Sequence, residues 1–219
     1  MQINNVKVYD LAESIVASGY PMLSEYMPNH VASVVACVKS YLDSILTSAR
    51  FQYEEIAKSH IDRAIRLANA KDGSGHRNAL SGVLVSFDVT ASNAWWMQFE
   101  RYHFAQIVSS QSKMHRLKQL AINANATELL DEDTIQRIKD NLKLYEDGLI
   151  DEETFIYSCP IGLQLTARVT TNYLQLRTMY IQRKNHKLKE WRDFCTWIET
   201  LPMSKELIIG KENEETKSN

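Results

Sequence analysis

The run Val83-Leu84-Val85-Ser86-Phe87-Asp88-Val89-Thr90 sets valine and phenylalanine at every second position. Only an extended chain places alternate side chains on one face, so the run predicts a strand over Gly82–Thr90. Gly73, Gly75 and Gly82 punctuate its approach. Ser92 or Asn93 then caps a helix that begins near Ala94. In that helix Trp95, Phe99 and Tyr102 share one face, while Gln98 and Arg101 are neighbours on another. His103 follows near its end. The helix gives way to Ser109–Arg116, a segment rich in hydroxyls and bases.

The polar side of this helix has two readings. Arginine, glutamine and histidine opposite an apolar stripe ordinarily form a solvated face. The alternative is an anion-binding end, where Arg101, Lys113 and Arg116 give charge-assisted donors and the serines neutral ones. That combination suits a phosphate-bearing ligand.

Composition narrows the class. A chain of 219 residues, 44% hydrophobic and 24% charged, can bury one sizeable core. A net charge of −2 gives no global pull toward nucleic acid or an anionic membrane, so neither is an expected partner. Cys37, Cys159 and Cys195 are far apart and read as reduced, buried thiols in a cytoplasmic protein. The sequence shows no signal-peptide pattern, and no apolar run approaches the roughly 18 residues of a membrane span. Seven glycines and four prolines argue against a loop-rich all-β fold.

Along the chain, Ile3–Tyr9 reads as a short strand. Asp10–Ala17 reads as a helix that stops at Ser18-Gly19-Tyr20-Pro21. Asn29–Asn69 is helical, as one helix or two, with a stripe of Val31, Val34, Val35, Val38, Leu42, Ile45 and Leu46. Phe51, Ile56, Ile61, Ile65 and Leu67 continue a weaker stripe. Arg63 and Arg66 meet the dipole near that helix's end. His60 reads as structural or exposed. Asp133 or Thr134 caps a helix over Ile135–Tyr145, and Asp151 or Thr154 opens the next. Cys159-Pro160-Ile161-Gly162 breaks the chain, and Leu163–Arg168 is a strand or a helix start. Thr170–Lys187 is a helix with Leu174, Met179 and Ile181 on its apolar side and Arg177 and Arg183 projecting from it. Leu188–Thr200 is a further helix carrying Trp191, Phe194, Trp197 and Ile198, and Gly210–Asn219 is a charged, disordered tail. The expected organisation is one domain over 1–209 with a long helical insertion at about 29–69. The aspartates and glutamates at 131–133 and 151–153 read as solvated helix starts, so no metal site is expected.

Two stretches resemble the flavin-dependent thymidylate synthase family. That family has a Gly-His-x-Thr-Pro-x-Glu-His turn, a strand, a helix ending in Arg-His-Arg, and a serine-rich loop. Gly75-His76-Arg77-Asn78-Ala79-Leu80-Ser81-Gly82 stands at the turn, and Arg101-Tyr102-His103 stands at Arg-His-Arg. Gln98 matches a glutamine before that motif, and Ser109–Met114 stands at the loop, with Lys113 opposite an arginine. Further on, the family spaces a proline, an asparagine and an arginine as Pro160, Asn172 and Arg183 are spaced. His186 and Glu190-Trp191 match later family positions loosely. Ser18 is a weaker candidate for a serine that helps hold the flavin.

The resemblance implies an α+β fold, mostly helical with a small antiparallel sheet. It implies FAD-dependent C5 methylation of dUMP or a related pyrimidine nucleotide, with methylenetetrahydrofolate and NADPH as co-substrates and no side-chain nucleophile. Gln98, Arg101 and Arg183 would contact the nucleotide, with Ser112 and Lys113 near its phosphate. His76, Asn78, Tyr102, His103, Asn172 and His186 would line the flavin. It also implies a homotetramer, whose packing Trp95, Trp96 and the long helices would support. Two alternatives stay open: a catalytically diverged relative that keeps a binding role, and an unrelated helical interaction protein.

Overall fold

The computed structural model describes residues 1–47, 53–71, 74–122 and 129–210. Four strands, β1 (Gln2–Tyr9), β2 (Leu84–Ser92), β3 (Gln106–Ser110) and β4 (Gln164–Asn172), form one antiparallel sheet in the order β1-β2-β4-β3. The helices are α1 (Leu11–Ala17), α2 (Pro28–Thr47), α3 (Glu54–Ala68), α4 (Asn93–Phe99), α5 (Lys113–Ile122), α6 (Glu132–Glu146), α7 (Glu152–Tyr157), α8 (Tyr173–Arg183) and α9 (Lys189–Ile198). The mostly helical α+β class is as expected. The chain divides into two compact units: residues 1–6, 86–170 and 188–191 form the first, and 7–85, 171–187 and 192–219 the second.

The predicted strand is β2, begun two residues later because His76–Gly82 winds into a 3₁₀ turn. Gly75 opens that turn at φ 73°, a left-handed conformation that glycine adopts without strain. Val85, Phe87, Val89 and Ala91 are buried along β2, and the alternate positions carry the polar side chains. Within the first unit, those polar positions tie β2 to β4. Ser86 and Thr170 hydroxyls lie 3.0 Å apart, and Thr90 and Thr166 hydroxyls 2.7 Å apart. Arg168 donates to Asp88 at 3.1 Å, and Asn5 donates to the same carboxylate.

Three sequence expectations change here. The helix from Ala94 ends at Phe99, and Gln106–Ser110 is a strand paired antiparallel with β4 rather than an irregular segment. Backbone pairing with β4 decides this stretch, and its partner is not local. The strand after Gly162 runs on to Asn172, so α8 begins at Tyr173, and Arg177 is buried rather than projecting, while Ile181 is exposed. Asp131, not Asp133 or Thr134, caps α6, its carboxylate accepting from the Thr134 N–H at 2.8 Å. Asp151 caps α7 in the same way through Thr154. In the first unit, α5, α6 and α7 gather around Ala121, Ile138, Phe155 and Leu163.

In the second unit α1, α2 and α3 pack together, so the helical stretch from 29 to 69 is two helices. Val34 and Val38 of the predicted stripe are buried. The side chains of Ile45, Leu46 and Phe51 lie outside the described residues, as does the tail at 211–219. α3 buries Ala57, Ile61, Ala64 and Ala68, a mostly alanine face, and leaves Ile56 exposed. Small side chains at successive turns admit a close helix approach, which a stripe of large apolar residues does not reveal. Arg63 leaves its own helix end and donates to the carbonyls of Ile15 at 3.4 Å and Val16 at 3.3 Å, the open end of α1. The Arg63 guanidinium packs closely over Gly19, where a Cβ would lie 2.5 Å from its carbon and displace the end of that side chain. Ser18 caps α1 and donates to Ile15 at 2.6 Å. Cys195 is buried and its thiol is pushed up to about 12 by burial, while Cys37 and Cys159 are half-buried rather than buried.

Among the described residues, three carboxyls titrate below the ordinary range. Asn5 and then Arg168 lower Asp88, the backbone and hydroxyl of Thr134 lower Asp131, and the hydroxyl and backbone of Thr154 lower Asp151. A lowered folded pKa stabilises the fold above the unfolded value of about 3.9, and that contribution is lost as pH falls through the folded value. The thermal midpoint is therefore expected to hold from neutral pH to about 5 and to drop below about 4. An Asp88→Asn, Asp131→Asn, Asp151→Asn triple variant should show a shallower acid decline in the same melts.

Candidate functional site

In the first unit the site region begins where β2 turns into α4. Ser92 is the N-cap, its hydroxyl accepting from the Trp95 N–H at 3.2 Å. The next amides are satisfied by the loop that breaks the chain: Ala94 N–H donates to Ile161 and Asn93 N–H to Leu163, each at 3.1 Å. The same Ser92 faces a buried carboxylate. Its N–H donates to Glu190 at 2.8 Å and its hydroxyl donates to the other carboxylate oxygen. Both residues are almost wholly removed from solvent, at 2% and 4% exposure. A buried carboxylate without donors is costly, so these two bonds decide whether Glu190 can stay there.

Glu190 brings Trp191 with it. Trp191 lies 5.0 Å from the Trp95 ring and 5.8 Å from Tyr102, and Trp95 stacks on Phe99 at 4.6 Å. Trp95, Phe99 and Tyr102 therefore share a buried face, as their spacing predicts. The Trp191 indole N–H donates to the side-chain oxygen of Gln98 at 3.0 Å. Gln98 is half-buried, and Arg101 and His103 are exposed just past the end of α4. Tyr102 is buried in the aromatic cluster. Ser112 is half-buried and accepts from the His115 N–H at 3.3 Å, at the start of α5. The Lys113 side chain lies outside the described residues.

In the second unit His76 and Asn78 are exposed on the 3₁₀ turn. Arg77, between them, donates to Ala68 at 2.9 Å and to Ala70, closing the end of α3. Asn172 is the N-cap of α8, accepting from the Gln175 N–H at 2.9 Å. At the other end of α8, Arg183 and His186 are half-buried, with the His186 N–H donating to the Arg183 carbonyl at 2.9 Å. Arg192 donates to the carbonyls of His186 at 2.6 Å and Lys187 at 2.9 Å. Burial, then the charges of Arg183, Arg192 and Lys187, hold His186 below its ordinary pKa. Arg183, Lys187 and Arg192 thus gather cationic charge around His186 at one helix end, in a chain of nearly neutral net charge. Among the described residues no group of three or more His, Cys, Asp or Glu is placed to hold a metal.

No model of a known protein family matches the chain, and no curated protein matches it. Solved structures do. The flavin dependent thymidylate synthase ThyX from Helicobacter pylori, complexed with FAD and dUMP, is similar with a TM-score of 0.64 and 14% identity, covering 95% of this chain and 98% of that one. A second structure of Thymidylate Synthase X from the same organism, with FAD and dUMP, has a TM-score of 0.61 and 13% identity over 95% and 97% of the two chains. The fold is that of flavin-dependent thymidylate synthases.

The sequence offers Ser92 or Asn93 as the cap and Glu190 only as a loose match. Their pairing across 98 positions was not legible. Ser92→Ala is expected to lower unfolding free energy by about 1–3 kcal/mol, because it removes a donor from a buried carboxylate. Gln98→Leu should cost a similar amount by leaving the buried Trp191 N–H without this acceptor. Urea unfolding followed by tryptophan fluorescence measures both.

Proposed function

We propose that this chain binds FAD and a dUMP-like pyrimidine nucleotide and transfers a one-carbon unit to C5 of the base. Methylenetetrahydrofolate and NADPH are the proposed co-substrates, and the proposed working form is a cytoplasmic homotetramer. The support is the likeness over 95% of the chain to a protein solved with FAD and dUMP. The residues present fit such ligands. Arg183, with Lys187 and Arg192 around His186, suits a phosphate, and the exposed His76 and Asn78 offer ring and amide groups to a flavin.

A bound flavin supplies redox chemistry that amino-acid side chains lack, which leaves the chain the tasks of binding and orientation. In this reading Gln98, Arg101 and Arg183 hold the nucleotide, with Ser112 and Lys113 at its phosphate. His76, Asn78, Tyr102, His103, Asn172 and His186 hold the flavin. A second reading, binding without turnover, is favoured by one observation. The Gln98 side-chain oxygen accepts from Trp191, and Tyr102 is buried against the same ring. Two ligand-facing candidates thus have structural work already.

The deciding experiment is an FAD titration of the purified protein by absorbance and fluorescence, with and without dUMP. Saturable flavin binding that dUMP alters is expected. Arg183→Ala should then weaken the dUMP effect by roughly tenfold or more, the loss of one charge-assisted contact, with an unchanged circular dichroism spectrum. Turnover with the folate donor separates the enzyme from the binding protein. Absence of flavin binding would overturn both readings.

A further inference from the structure

The helical insertion contains none of the residues assigned above to flavin or nucleotide, yet α2 does more than cover α1 and α3. Beside it, within the second unit, lies a pocket of about 440 Å³. That volume falls in the range of about 300–1,000 Å³ typical of small-molecule sites. The β1–α1 junction forms one wall, Lys39, Leu42 and Asp43 of α2 form another, and Pro202 and Met203 complete it. Its surface is mainly apolar, so it favours a ligand with an apolar body.

The charged groups on the lining select the ligand's polar end. Asp10, Glu13 and Asp43 place three carboxylates there against the single ammonium of Lys39. Asp10 stands at the N-cap position of α1, but its side chain makes no capping hydrogen bond. A ligand ammonium would donate charge-assisted hydrogen bonds to such carboxylates, whereas an anion of the same shape would be repelled. We propose that this pocket binds an organic ammonium ion with an apolar body, and that the inserted helix α2 exists in part to build it. No residue of its lining is among the proposed flavin and nucleotide contacts.

Met203 lines the pocket and supplies its own reporter. The seven methionines can be labelled at their methyl carbons, and the Met203 signal assigned from Met203→Leu. The probe is phenylbutylammonium, with phenylbutanoate as the anion of like body. The Met203 signal is expected to shift saturably with the ammonium at roughly millimolar concentration or below, and at least tenfold more weakly or not at all with the carboxylate. A Glu13→Gln, Asp43→Asn double variant should weaken the ammonium by roughly tenfold or more. Leu42→Trp, which fills the pocket, should abolish the shift while circular dichroism stays native. The proposal is overturned by a parent that shows no saturable shift, by equal binding of both probes, or by unchanged binding in the double variant. Retained binding in a folded Leu42→Trp protein would overturn it too.

Discussion

The buried carboxylate of Glu190 is the constraint on which the first unit depends. A carboxylate in an apolar interior is tolerated only with donors aimed at it, and the Ser92 N–H and hydroxyl are those donors. Ser92 is also the residue at which β2 stops and α4 starts. One contact therefore fixes the strand end, the helix start and the position of the Leu188–Trp191 segment. Trp191 is thereby seated among Trp95, Phe99 and Tyr102, where its indole N–H reaches Gln98. The aromatic burial is the larger stabilising term, and the polar pair gives it a single arrangement.

The second unit uses arginine for a related purpose. Helix ends leave carbonyls without partners, and here guanidinium groups reach them. Arg63 serves the end of α1, Arg77 the end of α3, and Arg192 the stretch after α8. Arg177, buried inside α8, donates to Ile208 at 2.7 Å in the π turn Lys205–Ile209. His60 joins this scheme as a neutral ring, because its Nδ1 lies 2.7 Å from an Arg63 nitrogen that can only donate. Burial first, and then Arg63 and His30, lower its pKa. Arg177, which the sequence reads as projecting from its helix, is thus structural, while Arg183 at the end of α8 remains an anion candidate.

The site was legible in part. The period-two run, the Trp95, Phe99, Tyr102 face and the Ser92 cap follow from short-range rules, and the structure keeps all of them. The spacing of Pro160, Asn172 and Arg183 points to a fold that the solved thymidylate synthase structures share, although identity is only 14%. What could not be read was which polar groups are already engaged. The resemblance makes Gln98 a nucleotide contact and Asn172 a flavin contact. Their side-chain oxygens also accept from Trp191 and from the Gln175 N–H.

By itself the sequence determined most of the helices, the strand β2 and the apolar faces of β2 and α4, because propensity, periodicity and capping act over a few residues. It also determined that α1 ends at Ser18-Gly19 and that the helical stretch from 29 to 69 is long. Only the tertiary structure decided that Gln106–Ser110 is a strand, that Arg177 is buried, and that α3 packs on alanines. Each of those depends on a partner distant in sequence: β4 for the strand, the Ile208 carbonyl for Arg177, and α1 and α2 for α3. Non-local pairing overrides local preference wherever a hydrogen-bonding edge, a buried charge or a close helix approach must be satisfied.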